Sequence, residues 1–202
     1  MLVTESGLVR VEAQPGRAEQ VRRCAELHRD APEPLARTVD VGEDWAEFAP
    51  RFGVSFPALT STIQAGELPR FPYPVATAFI ERMLAAMEAA HARGHYFRTM
   101  GPANVVISAE GSIAFLGLGG LELSSTVFFT PEVGLGEAPS VGSDLYAANQ
   151  VLRTALPAVE LPEPLRRIYA GRPVGEHGPV DVEGAGDQLG VDQGPLLVLL
   201  VS

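Results

Sequence analysis

The chain is poor in cysteine, in basic residues and in long apolar runs, and each shortage closes off a class of protein. Its 1 cysteine, Cys24, excludes an intramolecular disulfide and any thiolate metal cluster built by this chain. Against 25 acidic residues stand 15 basic ones, a formal net charge of -10. That sign opposes non-specific binding to nucleic acid or an anionic membrane, because their phosphates are repelled. Arg17, Arg22, Arg23 and Arg29 are the nearest thing to a basic patch, and their spacing reads as the solvated face of a helix. No window approaches the ~18 apolar residues that a membrane-spanning helix needs, so no membrane insertion is expected. The first residues, Met1-Leu2-Val3-Thr4-Glu5, lack the basic and apolar regions of a signal peptide, which leaves a cytoplasmic protein as the expectation. No internal repeat is present, which disfavours solenoids and propellers.

With 202 residues, 46% of them hydrophobic, the chain has the means to build one sizeable core, as one domain or one domain with a tail. Leu8-Val9-Arg10-Val11-Glu12 alternates as a half-buried strand does. From Arg17 to about Arg29 the spacing of Ala18, Val21, Cys24/Ala25 and His28 predicts an amphipathic helix. Cys24 reads as a buried small hydrophobe, and His28 as a packed or dipole-facing histidine rather than a metal ligand. Residues 36–41 and 45–52 form a hairpin candidate about the turn Gly42-Glu43-Asp44, with Pro50 weakening the second strand or placing it at an edge. A short helix over 56–65 and a stiff connector containing Pro69, Pro72 and Pro74 follow. The main internal boundary falls between about 53 and 70.

Residues 75–93 carry the strongest periodicity. Ala76, Phe79, Ile80, Met83, Leu84, Met87 and Ala90 share one helical face, and Arg93-Gly94 suits a helix end. The loop Phe97-Arg98-Thr99-Met100-Gly101-Pro102-Ala103-Asn104 comes next. An apolar hairpin, Val105-Val106-Ile107 and Ile113-Ala114-Phe115-Leu116, follows it, with both faces expected to be covered. Gly117-Leu118-Gly119-Gly120 lacks the third glycine of a dinucleotide loop and the Lys-Ser/Thr of a P-loop, so it supports neither chemistry. Residues 121–143 read mostly as loop. Ser143 or Asp144 caps a helix running from Leu145 to about Ala155, and a short helix is expected over 165–169. Beyond Gly171 the chain is rich in Gly, Pro and acids, as a linker is, and it ends on an apolar run at 196–201. That run is either tucked onto the domain or offered as a strand to a partner.

The order of helix, R-x-x-x-P-x-N loop, apolar hairpin, Gly turn, P-E and S-D-x-Y resembles the carboxy-terminal lobe of a protein kinase, especially the bacterial Ser/Thr type. Residues 97–104 lie where H-R-D-L-K-P-x-N would be, 116–119 cover the D-F-G region, and Thr130-Pro131-Glu132 resembles A-P-E. The resemblance implies an α+β fold: a reduced, strand-rich amino-lobe-like region over 1–68, a mostly helical carboxy-lobe-like region over 69–173, and an acidic tail over 174–202. It also implies that Asp144 anchors the catalytic-loop backbone and that Glu132 pairs with Arg172.

The departures bear on function. Kinase chemistry needs a carboxylate base, magnesium ligands and a lysine on the ATP phosphates. Thr99 stands in the place of the base, Gly101 in that of the loop lysine, and Gly117 in that of the metal aspartate. Glu12 is the match for the phosphate lysine and has the wrong sign. Arg98 and Asn104 remain, and Asn104 reads first as a loop amide bonded to backbone rather than as a metal ligand. The expectation is a pseudokinase with no catalytic, cofactor or metal residues, acting through protein partners as a scaffold, assembly subunit or regulator. ATP binding is not expected. The alternative is a nucleotide-binding sensor, or a kinase-fold transferase with non-standard chemistry.

Overall fold

The structure, a computed structural model, describes residues 2–124 and 126–163. Two short strands open it, β1 (Leu2–Val3) and β2 (Leu8–Glu12), followed by α1 (Ala18–Leu27). Then come β3 (Arg37–Val41), β4 (Trp45–Ser55), α2 (Phe56–Gln64), β5 (Phe71–Pro72) and the 19-residue α3 (Tyr73–His91). The hairpin β6 (Val105–Ser108) and β7 (Ile113–Phe115) is followed by α4 (Pro131–Gly134), α5 (Val141–Ala155) and β8 (Val159–Glu160).

Six strands make one sheet in the order β1-β2-β4-β6-β7, with β3 on the other edge of β4, and every pairing in it is antiparallel. Period-2 alternation explains β2: Val9 and Val11 are buried while Arg10 faces out against Glu47 and Trp45. β4 is not the edge strand that Pro50 suggests. Its first half lies between β2 and β3, and its last residues pair with β6 through Phe52–Ser108 and Ser55–Val106. Pro50 is accommodated because the β2–β4 register shifts there: Val9 opposes Phe48 while Leu8 opposes Arg51, so the proline sits in a bulge. β5 and β8 form a separate two-stranded parallel ribbon.

The β6–β7 hairpin divides two cores, which is why its strands are apolar on both faces. Val105 and Phe115 pack with Phe79, Met83, Met87, Phe97 and Leu152 on the helical side. Val106, Ala114 and Leu116 pack with Val9, Val21, Cys24 and Phe48 on the sheet side. α3 buries the stripe read from its spacing, with Phe79, Ile80, Met83, Met87 and Ala90 inside and Glu81 and Glu88 out. Gly94 caps it with φ 71°. The helix begins at Tyr73, two residues earlier than the spacing indicates, because Pro74 is welcome in a first turn. α5 likewise starts earlier than Leu145. Its cap is Ser140, not Ser143 or Asp144: Ser140 Oγ accepts from the Ser143 N–H at 3.1 Å and Ser143 Oγ accepts from the Ser140 N–H at 2.8 Å. The 121–143 stretch is mostly loop, as its composition suggests, and carries the four-residue α4. The expected helix at 165–169, the tail, the apolar run at 196–201 and Arg172 lie outside the described residues.

Candidate functional site: the loop at 97–104 and the turn at 117–120

Three buried polar side chains hold this region, each from a different element. Asp144, on the first turn of α5 and 0% exposed, accepts the N–H of Phe97 at 2.9 Å on one oxygen and the N–H of Arg98 at 2.9 Å on the other. His91 Nε2, from the end of α3, lies 3.0 Å from the same carboxylate. These bonds fix the start of the loop, and Arg98 is held with φ 67°, a left-handed conformation that a non-glycine residue enters only under such constraint.

Asn104 fixes the end of the loop. Its Oδ1 accepts the Gly101 N–H at 2.6 Å and its Nδ2 donates to the Leu116 carbonyl at 2.8 Å. Its own carbonyl accepts the Leu116 N–H at 2.9 Å. Both ends of the amide are thus committed to backbone, and the side chain is buried.

His28 fixes the glycine turn. Its Nδ1 is 2.6 Å from the Ala36 carbonyl, which can only accept, so Nδ1 carries the proton. Nε2 then accepts from the N–H groups of Gly117 and Leu118 at 3.2 and 3.1 Å. The ring is fully buried, and burial lowers its pKa to about 4. His28 therefore works as a neutral staple across 89 residues of sequence, not as a partner of the helix dipole. Beneath the turn, burial raises the Cys24 thiol to about 12, against a smaller lowering by the Gly117 N–H. The signal that could have located the staple is the position of His28 at the C-cap of α1, in line with the helix's buried stripe: a polar ring there must find partners.

Thr99, Gly101 and Gly117, singled out by the motif comparison, lie on this frame. Thr99 is 9% exposed, and its Oγ1 has no hydrogen-bond partner among the described residues. Gly101 lies against the Thr126 carbonyl, so closely that a Cβ would collide with that backbone oxygen. The contact is set by a two-way backbone bridge in which Met100 N–H donates to Phe128 at 3.0 Å and Phe128 N–H donates back at 2.7 Å. Gly117 has φ 110°, and a Cβ there would meet the Asn104 amide nitrogen. Glu12 is exposed at the end of β2, and Glu132 is exposed on α4. α1 closes over the turn through the Gln20 amide on the Gly120 carbonyl and an Arg17–Glu122 ion pair at 2.7 Å. Among the described residues no group of three or more His, Cys, Asp or Glu side chains is placed to hold a metal, and no helix is long and apolar enough to cross a membrane.

No family model matches the chain. Over 45 residues it is 40% identical to CBL-interacting protein kinase 30 of Oryza sativa subsp. japonica, a match covering 22% of this chain and 10% of the rice protein. Its backbone is similar to the crystal structure of the PknI kinase domain of Mycobacterium tuberculosis, with a TM-score of 0.61 at 20% identity over 75% of this chain. The fold is protein-kinase-like. The likeness spans 64% of the mycobacterial kinase domain, so the chain corresponds to less than two thirds of that chain and to about a tenth of the rice protein. The α+β architecture agrees with the expectation from the motif order.

Proposed function

We propose that this chain is a kinase-shaped binding module without phosphoryl transfer, a pseudokinase that works by engaging protein partners as a scaffold, assembly subunit or regulator. One observation carries the reading: neighbouring atoms, backbone at Gly101 and a buried side-chain amide at Gly117, fill the space beside these positions. At Gly101 the Thr126 carbonyl occupies the space that a side chain would take, and at Gly117 the Asn104 amide does the same. A lysine or an aspartate at these places would have to displace backbone or break a buried hydrogen bond. The side chains that hold the frame around them, Asp144, Asn104 and His28, are themselves engaged in hydrogen bonds to backbone.

The remaining residues do not fit a magnesium–nucleotide complex. Gly117 offers no ligand, Asn104 has both amide atoms engaged, and Thr99 is no proton acceptor near neutral pH. The chain contains no lysine, since all 15 of its basic residues are arginines. Loss of a general base by itself costs about 10²–10⁴ in rate. Large apolar side chains stand exposed over 129–146, among them Phe129, Leu135, Val141 and Tyr146, and a protein partner would cover surface of that kind. Affinity capture from the native host with the tagged chain should recover a specific, stoichiometric protein partner, and failure to recover any would contradict the reading. A nucleotide sensor or a transferase would instead be revealed by saturable ATP binding.

A further inference from the structure

Among the described residues the most exposed large apolar side chain is Leu135, at 85%; the next, Leu2, is at 52%. Leu135 follows α4 on a turn whose backbone is held by its own bonds. Gly134 N–H donates to the Thr130 carbonyl at 3.0 Å, Leu135 N–H to that of Pro131 at 2.9 Å and Glu137 N–H to that of Glu132 at 3.0 Å. Val133 on the same turn is buried, so the turn is rooted in the fold. The ring of exposed Phe129 lies against Gly134, so closely that a Cβ there would collide with it. Phe129, the Gly134 backbone and Leu135 therefore adjoin as one apolar surface rather than as scattered side chains. We propose, on the reading of this chain as a protein-binding module, that Leu135 and Phe129 are its anchor on a protein partner that presents an apolar pocket rimmed by Lys or Arg.

Shape selects the pocket. A leucine this exposed on a fixed turn is a knob, and burying it needs a concave apolar site on the other protein. Docking orders little chain, because the turn is already bonded, so little conformational entropy opposes it. Charge selects the rim. Between Arg98 and Arg153 the sequence holds no Lys, Arg or His. Of the acids in that stretch, Glu110 lies in the β6–β7 turn, Glu122 is paired with Arg17 and Asp144 is buried. Glu132 and Glu137, on the anchor turn, are exposed and have no cation within ion-pair reach among the described residues. Cations on the partner would meet them at the rim, where opposite charge fixes orientation and speeds association. The same carboxylates oppose a second copy as occupant, since two such turns would bring like charges together between chains of net charge -10 each.

The test places a photoreactive amino acid in the full chain, at exposed Ala138 beside the anchor or at exposed Val39 on β3, and irradiates each in lysate of the native host. The Ala138 position yields one protein adduct and Val39 yields none, and the linked partner peptide maps beside Lys or Arg residues that border an apolar pocket. The cross-linked protein, identified and purified, is then titrated against the chain. Leu135→Ala weakens binding about ten- to a hundredfold. Glu137→Lys weakens it about fivefold or more at low salt, and that gap closes near about 1 M salt. Both variants keep the parent's urea midpoint, because both sites are exposed. Affinity unchanged by Leu135→Ala, a linked surface without basic residues, or an adduct with a second copy or within the chain itself would overturn the proposal. An adduct at Val39 alone would overturn the anchor and leave the binding-module reading standing, whereas no adduct at either position would contradict both.

Discussion

Protonation of His28 should unlatch the glycine turn, and the effect can be sized. In the folded chain the ring is neutral, with Nδ1–H donating to the Ala36 carbonyl and Nε2 accepting two backbone N–H groups. A proton on Nε2 would point a donor at two donors in a site with 0% exposure. The pKa is lowered to about 4 from the ordinary 6.5, by burial first, with Arg93 and His95 adding smaller repulsion and the Ala36 carbonyl opposing. Above the unfolded value both states are neutral and the group adds no pH dependence. As pH falls from about 6.5 to about 4, the unfolded chain takes up a proton that the folded chain refuses, and stability falls by about 1.4 kcal/mol per pH unit at most. The loss over that window is about 3 kcal/mol. Below pH 4 both states are protonated and the slope due to His28 ends. Urea denaturation of the parent and of His28→Gln between pH 7.5 and 4.5 isolates this contribution, since all other groups are common to both. The variant should be less stable at pH 7.5 by about 1–3 kcal/mol for its lost bond, and the gap should narrow by about 2–3 kcal/mol toward pH 4.5. A gap that stays constant across the range, or widens as pH falls, would refute the assignment of His28 as a neutral staple.

Further outcomes follow from the same frame. Asp144→Ala removes the acceptor for two buried N–H groups and the partner of His91, and should lower unfolding stability by about 3–5 kcal/mol, measured as a fall in the urea midpoint. Gly117→Asp, which installs the residue that the motif resemblance would expect here, meets a left-handed φ and the Asn104 amide. It should cost about 2–4 kcal/mol without creating Mg²⁺-dependent ATP binding, and a stable variant that binds ATP would show the turn to be adaptable. Cys24, with its thiol pushed to about 12, should react with iodoacetamide at pH 8 about a thousandfold more slowly in the folded chain than in urea. Comparable rates would place it at the surface.

Features written in local spacing were legible from the sequence. The stripe of α3, the alternation of β2 and the two-faced apolar hairpin each follow from periodicity within a few residues. The loop motif made Asp144 and Asn104 readable, because their partners lie at fixed places in a repeated arrangement. Long-range contacts were not legible. The two N–H groups that His28 Nε2 accepts lie 89 and 90 residues away, and the Thr126 carbonyl that closes on Gly101 belongs to a segment with no periodicity. Pro50 was half legible: the weakened pairing expected of it is the register shift opposite Leu8 and Val9, but its place between neighbouring strands rather than at an edge is set by those strands. The Ser140 cap was missed because Ser143 and Asp144 are equally good caps by type, and the choice between them is made by where α5 meets the segment before it.

A thermal-shift titration with ATP, with and without Mg²⁺, tests the central claim most directly. Ligand at 100 times its dissociation constant adds about 2.7 kcal/mol of stability, a rise of roughly 5–10 °C for a domain of this size. The closed positions at Gly101 and Gly117, the engaged Asn104 and the absence of lysine predict no saturable rise up to millimolar ATP under either condition. A concentration-dependent, Mg²⁺-dependent rise of several degrees would contradict the account and assign this frame to nucleotide binding.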